Sequence, residues 1–106
     1  MIETPNLSYI DALSDGDDAF KHKILNIIKN EYILEREIYT KNLLSKDHIA
    51  TADNVHKLKH KISILGLEKS YELAQEYEHQ LREGKFNLKD KFEVTLSIIA
   101  NFLKTI

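Results

Sequence analysis

The chain has 106 residues, of which 30% are charged and 42% are hydrophobic, and its formal net charge is -2. This length and composition predict a single folded domain over residues 1–106, and the absence of cysteine excludes a disulfide scaffold, a thiolate zinc site and a cysteine nucleophile. The near-neutral charge gives no support for nucleic-acid binding, and no apolar run reaches the roughly 18 residues that span a bilayer, so we expect a cytoplasmic protein without nucleic-acid or membrane partners.

The predicted helices begin with a short amphipathic segment at residues 6–13, which ends in a turn cluster at residues 14–17. A helix this short is not stable alone, so we expect it to lie as a lid across the end of longer helices. The longest predicted helix covers residues 17–44 and carries a heptad-like apolar stripe with one gap, at Glu31. We expect this stripe to face the core, and its members are Phe20, Ile24, Ile27, Leu34 and Ile38.

Three further helices follow. One covers residues 48–65 and stops at Gly66, and the next covers residues 67–83 and stops at Gly84. The last is predicted to begin at Asn87, which would act as its N-cap. Its predicted inner stripe consists of Leu88, Phe92, Leu96, Ile99 and Leu103. Four long helices joined by short links predict an all-α, up-down-up-down four-helix bundle with a short N-terminal lid helix.

The helix at residues 48–65 has two faces that differ in character. At about 100° per residue, its apolar residues fall in one sector roughly 80° wide, and a set of polar residues falls on the opposite side. The apolar sector, predicted to face the core, contains Val55, Leu58, Ile62 and Leu65. The polar sector, predicted to face solvent, contains His56, Lys59, His60 and Ser63.

Histidines are the informative residues for chemistry, because the chain has no glycine-rich phosphate loop and no pair of Glu-x-x-His motifs of the kind that builds di-iron bundles. His22, His48 and His79 sit among polar neighbours, and we expect them to be plain surface residues. His56 and His60 are four residues apart, a spacing at which two imidazoles can share a metal ion. Two ligands do not complete a site, and the flanking lysines oppose a cation, so we expect neither a metal nor another cofactor on this chain.

Two other interpretations of the polar face stay open. The first is a solvated helix surface of mixed charge without a specific function. In the second, an exposed neutral imidazole attacks phosphorus at neutral pH, and the product carries about two negative charges. Lys59, about one turn along from His56, would neutralise part of that charge, while Lys57 and Lys61 would attract an acidic partner.

The run from His56 to Gly66 resembles the motif of histidine-containing phosphotransfer (HPt) domains, in which a histidine is followed by Leu, Lys, Gly, a few small residues and Leu-Gly. Leu58, Lys59 and Leu65 stand at the matching places. The similarity extends over residues 7–103, because the start of the long helix and the helix after the motif also resemble the family. The residues that carry this wider similarity are Tyr9, Ile10, Phe20, Leu73, Ala74, Tyr77, Glu78, Leu81, Arg82, Glu83 and Gly84.

The resemblance implies that His56 is the phosphoacceptor and that Lys59 stabilises the phosphoryl group. It also implies a monomeric phosphocarrier, not itself an enzyme, that relays phosphoryl groups between aspartates of receiver domains in a two-component phosphorelay. Those receivers would belong to a hybrid histidine kinase or a response regulator, and they would hold the divalent metal that the transfer needs. The face expected to dock a receiver consists of Lys57, His60, Lys61, Ser63 and Ile64.

One position departs from the family pattern. His60 stands where the family has a glycine, which leaves room for a receiver domain to close over the imidazole. The small residues usual before the Leu-Gly pair are also replaced, by residues 61–64. The rival hypothesis is therefore a degenerate HPt-like bundle that docks a receiver or kinase without transferring phosphate.

Overall fold

Five α-helices follow one another along the chain in the computed structural model, which describes residues 3–106. They are α1 (Ser8–Ser14), α2 (Asp18–Leu44), α3 (His48–Ile64), α4 (Glu68–Arg82) and α5 (Lys89–Leu103). Residues 3–106 contain no strand, so the predicted all-α class is confirmed. Within that range, no helix is both long and apolar enough to cross a bilayer.

Side chains next to the helix ends explain where two of the long helices begin. Asp17 accepts a hydrogen bond from the backbone N–H of Phe20 at the start of α2, and Asp47 accepts one from that of Ala50 at the start of α3. The predicted N-cap of the last helix is wrong by one residue. Leu88, not Asn87, is the N-cap of α5, and no side chain caps this end.

The N-terminal segment supplies the cap that α4 lacks in its own sequence. The carboxylate of Glu3 accepts hydrogen bonds from the backbone N–H groups of Lys69 and Ser70, each at 2.8 Å. Burial raises the pKa of Glu3, but these two hydrogen bonds outweigh it, so the pKa lies below its ordinary value. The backbone N–H of Asn6 also donates to the carbonyl of Leu65, which ties the segment to the turn between α3 and α4.

The core lies between the four long helices: α2 packs on α3, α3 on α4, and α4 on α5, and side chains of α2 also reach α5. An aromatic cluster joins three of them: the ring of Phe92 lies 5.6 Å from that of Tyr39 and 5.1 Å from that of Tyr77. The two tyrosine hydroxyls are hydrogen-bonded to each other at 2.9 Å, so neither polar group is buried without a partner. The predicted inner stripe of α5 is confirmed, because Phe92, Leu96, Ile99 and Leu103 are buried and Leu88 packs against them.

The prediction for α2 is wrong about which face is buried. Phe20, Ile27, Leu34 and Ile38 have exposed fractions between 42% and 59%, and Ile24 is only half-buried. The buried face of the helix lies about 100° away around its axis. That face consists of Leu25, Ile28, Tyr32 and Tyr39. The physical reason is that the tyrosines bring large rings inward and satisfy their hydroxyls there, as Tyr32 does by donating to the carbonyl of Leu96.

Candidate functional site

The orientation of α3 sets the position of the candidate site. Its predicted apolar sector is confirmed, because Val55, Leu58, Ile62 and Leu65 are fully buried. With these residues buried, the middle of the opposite face of α3 is exposed to solvent. The side chain of His56 is 49% exposed there, so its ring is held at the surface without being covered.

A carboxylate from α4 holds one edge of the His56 ring. Nδ1 of His56 lies 3.2 Å from Oε1 of Glu78. An ionised carboxylate only accepts hydrogen bonds, so Nδ1 must carry the proton and donate it. Within residues 3–106, Nε2 has no hydrogen-bond partner. In the neutral ring, this contact therefore favours the tautomer with the proton on Nδ1 and the lone pair on Nε2.

Glu78 is the centre of a small ionic cluster. Its Oε1 also contacts the ammonium of Lys59 at 3.2 Å, and its Oε2 accepts a hydrogen bond from Arg82 at 3.1 Å. Arg82 reaches across to α3 as well, where it donates to Asp53 at 3.0 Å. Burial raises the pKa of Glu78, but the hydrogen bonds from Arg82, Lys59 and His56 outweigh it and lower the pKa below its ordinary value. Glu78 is therefore ionised at neutral pH.

Lys59 lies nearer the interior than predicted. Its side chain is only 10% exposed, and its ammonium sits between Glu78 and the ring of Tyr71, 5.5 Å from the ring centroid. The sequence places Lys59 in the polar sector, but at the edge of that sector that packs against α4. Lys59 and His56 consequently share one carboxylate oxygen.

The expected exposure of Lys61 is also wrong. Its side chain is 11% exposed, and its ammonium contacts Glu31 at 2.7 Å and Glu35 at 3.2 Å, both on α2. Burial lowers the pKa of Lys61, but the two carboxylates outweigh it, so the pKa is raised above its ordinary value. This lysine joins α3 to α2, and its charge is not presented to solvent.

The other residues of the expected docking face remain at the surface. Lys57, His60 and Ser63 are exposed, and Ile64 is half-buried against the core. The ring of His60 lies 5.0 Å from that of His56, with 71° between their planes. His60 therefore stands directly beside His56 on the exposed face of α3.

Glu78, Arg82 and Asp53 are the site residues that sequence reasoning missed as functional groups. A signal existed, since Glu78 and Arg82 are four residues apart on one helix, a favourable spacing for an ion pair. The contact between Glu78 and His56 depends on how α4 is rotated relative to α3, and the sequence alone does not predict this rotation. In residues 3–106, no three acidic or histidine side chains converge in a way that could hold a metal ion.

One open cavity borders the site, and another lies away from it. One, of about 580 Å³, borders the ionic cluster on the α4 side and is lined in part by Lys59, Glu78 and Arg82. The other, of about 560 Å³, is an apolar groove between α2 and α5 that shares no residue with the site. His56 lines neither of these cavities, and the polar one reaches the site only through Glu78 and the two cations that contact it.

Comparison of the chain with protein-family models, with curated proteins and with solved structures found no match. The site itself must therefore support any functional assignment. It offers one half-exposed imidazole with a carboxylate on Nδ1, beside a cluster in which two cations are paired with two carboxylates. An exposed imidazole that is oriented in this way can act as a nucleophile.

Proposed function

We propose that this chain is a histidine phosphocarrier of the HPt type, with His56 as the phosphoacceptor. The observation that carries the proposal is the hydrogen bond from Nδ1 of His56 to Glu78, which leaves Nε2 free on a half-exposed ring. An imidazole in this tautomer needs no further deprotonation to act as a nucleophile.

In the proposed step, the lone pair on Nε2 of His56 attacks the phosphorus of an aspartyl phosphate on a receiver domain. A bond forms between nitrogen and phosphorus as the bond from phosphorus to the aspartyl oxygen breaks, and the aspartate leaves as a carboxylate. The ring keeps its Nδ1 proton and gains positive charge, which the ionised Glu78 stabilises across the hydrogen bond. The reverse reaction delivers the group to an aspartate of a second receiver.

Lys59 stabilises the phosphoryl group in this proposal. Its ammonium contacts the same Glu78 oxygen as Nδ1 of His56, and in the proposed step it leaves this contact to reach a phosphoryl oxygen on Nε2. The receiver supplies the divalent metal and the in-line geometry. The chain is accordingly a carrier that provides the nucleophile and its orientation, and it is not an enzyme by itself.

The proposed partners are receiver domains of a hybrid histidine kinase or a response regulator, and the proposed location is the cytoplasm. We assign docking to the surface around His56 that is formed by Lys57, His60, Ser63 and Ile64. Lys61 is left out of this surface because its ammonium is engaged by α2. The proposed arrangement of α2 to α5 is an up-down-up-down bundle, with α1 as its lid.

The test is transfer of labelled phosphate from a phosphorylated receiver to this chain. We expect label on the chain that is lost in acid and kept in base, as a phosphoramidate requires. His56→Gln should abolish it, whereas His22→Gln, which changes an exposed histidine on α2, should not. Absence of label with receivers that bind the chain would overturn the proposal.

A second candidate is a docking module that binds a receiver without accepting phosphate. The observation that favours it is the ring of His60, 5.0 Å from that of His56, which narrows the approach to the nucleophile. A module of this kind would bind receivers through the same surface. It would differ by taking up no label under conditions in which the complex forms.

A further inference from the structure

The apolar stripe on α2 is a strong sequence pattern that the fold does not use. Its residues recur at alternating spacings of four and three, the seam of a coiled coil, with Glu31 in the one polar place. Four of its five apolar members are exposed, along a helix about 40 Å long. Single exposed apolar residues are ordinary, but a continuous stripe on one helix indicates an interface.

We propose that two copies of this chain associate through the stripe, with α2 packed against α2 of the second copy in antiparallel orientation about a two-fold axis. A two-fold axis requires a surface that is complementary to itself. The stripe meets this requirement when its centre lies on the axis, because Phe20 then faces Ile38, and Ile24 faces Leu34. Ile27 faces the aliphatic part of Glu31, whose carboxylate stays on Lys61 of its own chain.

The charges beside the stripe fit the same alignment. Lys23 and Glu37 are both exposed, they flank the stripe on its outer side, and neither has an ion-pair partner within residues 3–106. In the antiparallel alignment, Lys23 of each copy faces Glu37 of the other, and Asn30 faces its own equivalent at the axis. Flanking charges of this kind set the orientation of paired helices.

The parallel alternative places like charges together. Each residue of the seam would face its own equivalent, so the two Glu31 side chains would meet in the middle of the interface. Lys23 and Glu37 would then lie far apart. The antiparallel arrangement keeps the two Glu31 side chains apart and forms two opposite-charge pairs between Lys23 and Glu37.

The dimer differs from the monomer that the sequence alone implies, and the reason is structural. The sequence pattern places the stripe in the core, which would leave nothing for a second copy to bind. The structure moves the stripe to the surface. The proposal does not depend on phosphotransfer, since none of the residues named for this interface contacts His56.

The test is sedimentation equilibrium of the full chain over a range of concentrations. We expect the mass to rise above 12.3 kDa towards twice that value, with Leu34→Glu returning it to the single-chain mass. Lys23→Glu should weaken association by about five- to tenfold, because two attractive pairs become repulsive. Lys23→Glu combined with Glu37→Lys should restore it, because the pairs are then reversed. Lys91→Glu on α5 gives the same charge change away from the stripe and should have no effect.

Two outcomes would overturn the proposal. One is a folded chain, judged by circular dichroism, that keeps the single-chain mass up to about 1 mM. The other is a dimer whose association is weakened by Lys23→Glu and is not restored when Glu37→Lys is added. The antiparallel alignment requires that these two residues meet, so the double exchange must restore the affinity.

Discussion

The Nδ1 atom of His56 on α3 lies 3.2 Å from Oε1 of Glu78 on α4. The imidazole is therefore oriented by a neighbouring helix and not by its own. The same carboxylate holds the ammonium of Lys59 and the guanidinium of Arg82. A change at Glu78 should consequently affect the orientation of the proposed nucleophile and the electrostatics around it together.

Glu78→Gln should slow phosphoryl uptake while leaving the chain folded. Glutamine keeps the shape of the side chain but carries no charge to stabilise the positive ring that forms during transfer. We expect the rate to fall by about 10- to 100-fold, by analogy with the loss that follows when the carboxylate partner of a metal-bound histidine is changed. Glu76→Gln on the exposed side of α4 is the matched control. Equal rates for both variants in a single-turnover transfer assay would contradict the role given to Glu78.

The lowered pKa of Glu78 predicts how its contribution to stability depends on pH. Its pKa in the folded chain lies below the ordinary value of 4.5, so the charged carboxylate stabilises the fold above that value. The contribution disappears as the pH falls through the lowered pKa. We therefore expect the excess stability of the wild type over Glu78→Gln to be larger at about pH 5.5 than at about pH 3. Urea denaturation at the two pH values measures this difference, and an excess that grows towards low pH would contradict it.

Ile62 and Lys57 provide a test of the rotation of α3. Ile62 is fully buried, and Lys57 is exposed on the same helix. Ile62→Ala should lower the free energy of unfolding by about 2–5 kcal/mol, because a cavity replaces buried methylene groups. Lys57→Ala should change it by less than about 0.5 kcal/mol. Similar effects from the two substitutions in chemical denaturation would mean that the assigned faces are wrong.

The sequence predicts features that depend on one helix better than features that depend on two. The buried face of α3 follows from the spacing of Val55, Leu58 and Ile62, and the structure confirms it. For α2 the same reasoning fails, because two stripes compete on one helix and the heptad pattern is the more regular one. The buried stripe contains Tyr32 and Tyr39, whose hydroxyls find partners only after other helices have packed.

Charged residues at the site show the same limit. A helical projection places Lys59 in a polar sector, but it does not show that α4 brings Glu78 to that edge. Nor does it show that Glu31 and Glu35 of α2 enclose Lys61. Burial of a lysine depends on carboxylates that lie some 20 to 30 residues away in the chain, and their positions follow from helix packing.

Substitution of Lys57 should affect docking, whereas substitution of Lys61 should affect stability. If an acidic receiver is attracted to the exposed charge of Lys57, its association rate should fall as salt rises, because exposed charges are screened over about 10 Å at 0.1 M. Lys57→Ala should lower both the rate and its dependence on salt. Lys61→Ala should instead destabilise the fold, since it leaves Glu31 and Glu35 without their shared partner. A receiver complex whose association rate does not change with salt concentration would indicate docking through apolar residues such as Ile64.

The final prediction distinguishes His56 from His60 as the phosphoacceptor. Both rings lie at the surface, 5.0 Å apart, but only His56 has a carboxylate on Nδ1. Within residues 3–106, no such contact orients the ring of His60. His60→Gly should therefore keep phosphoryl uptake and speed it by opening the approach to Nε2 of His56. Glycine in the middle of α3 should lower the free energy of unfolding by about 1 kcal/mol, which thermal denaturation can measure separately.

His60→Ala is the control for helix propensity, because it removes the ring without adding backbone freedom. If the ring obstructs the receiver, His60→Ala should also speed uptake, and the two variants should differ mainly in stability. If the ring instead contacts the receiver, both variants should take up phosphate more slowly and bind the receiver more weakly. Loss of label in both variants, together with label that persists in His56→Gln, would show that His60 and not His56 is the nucleophile.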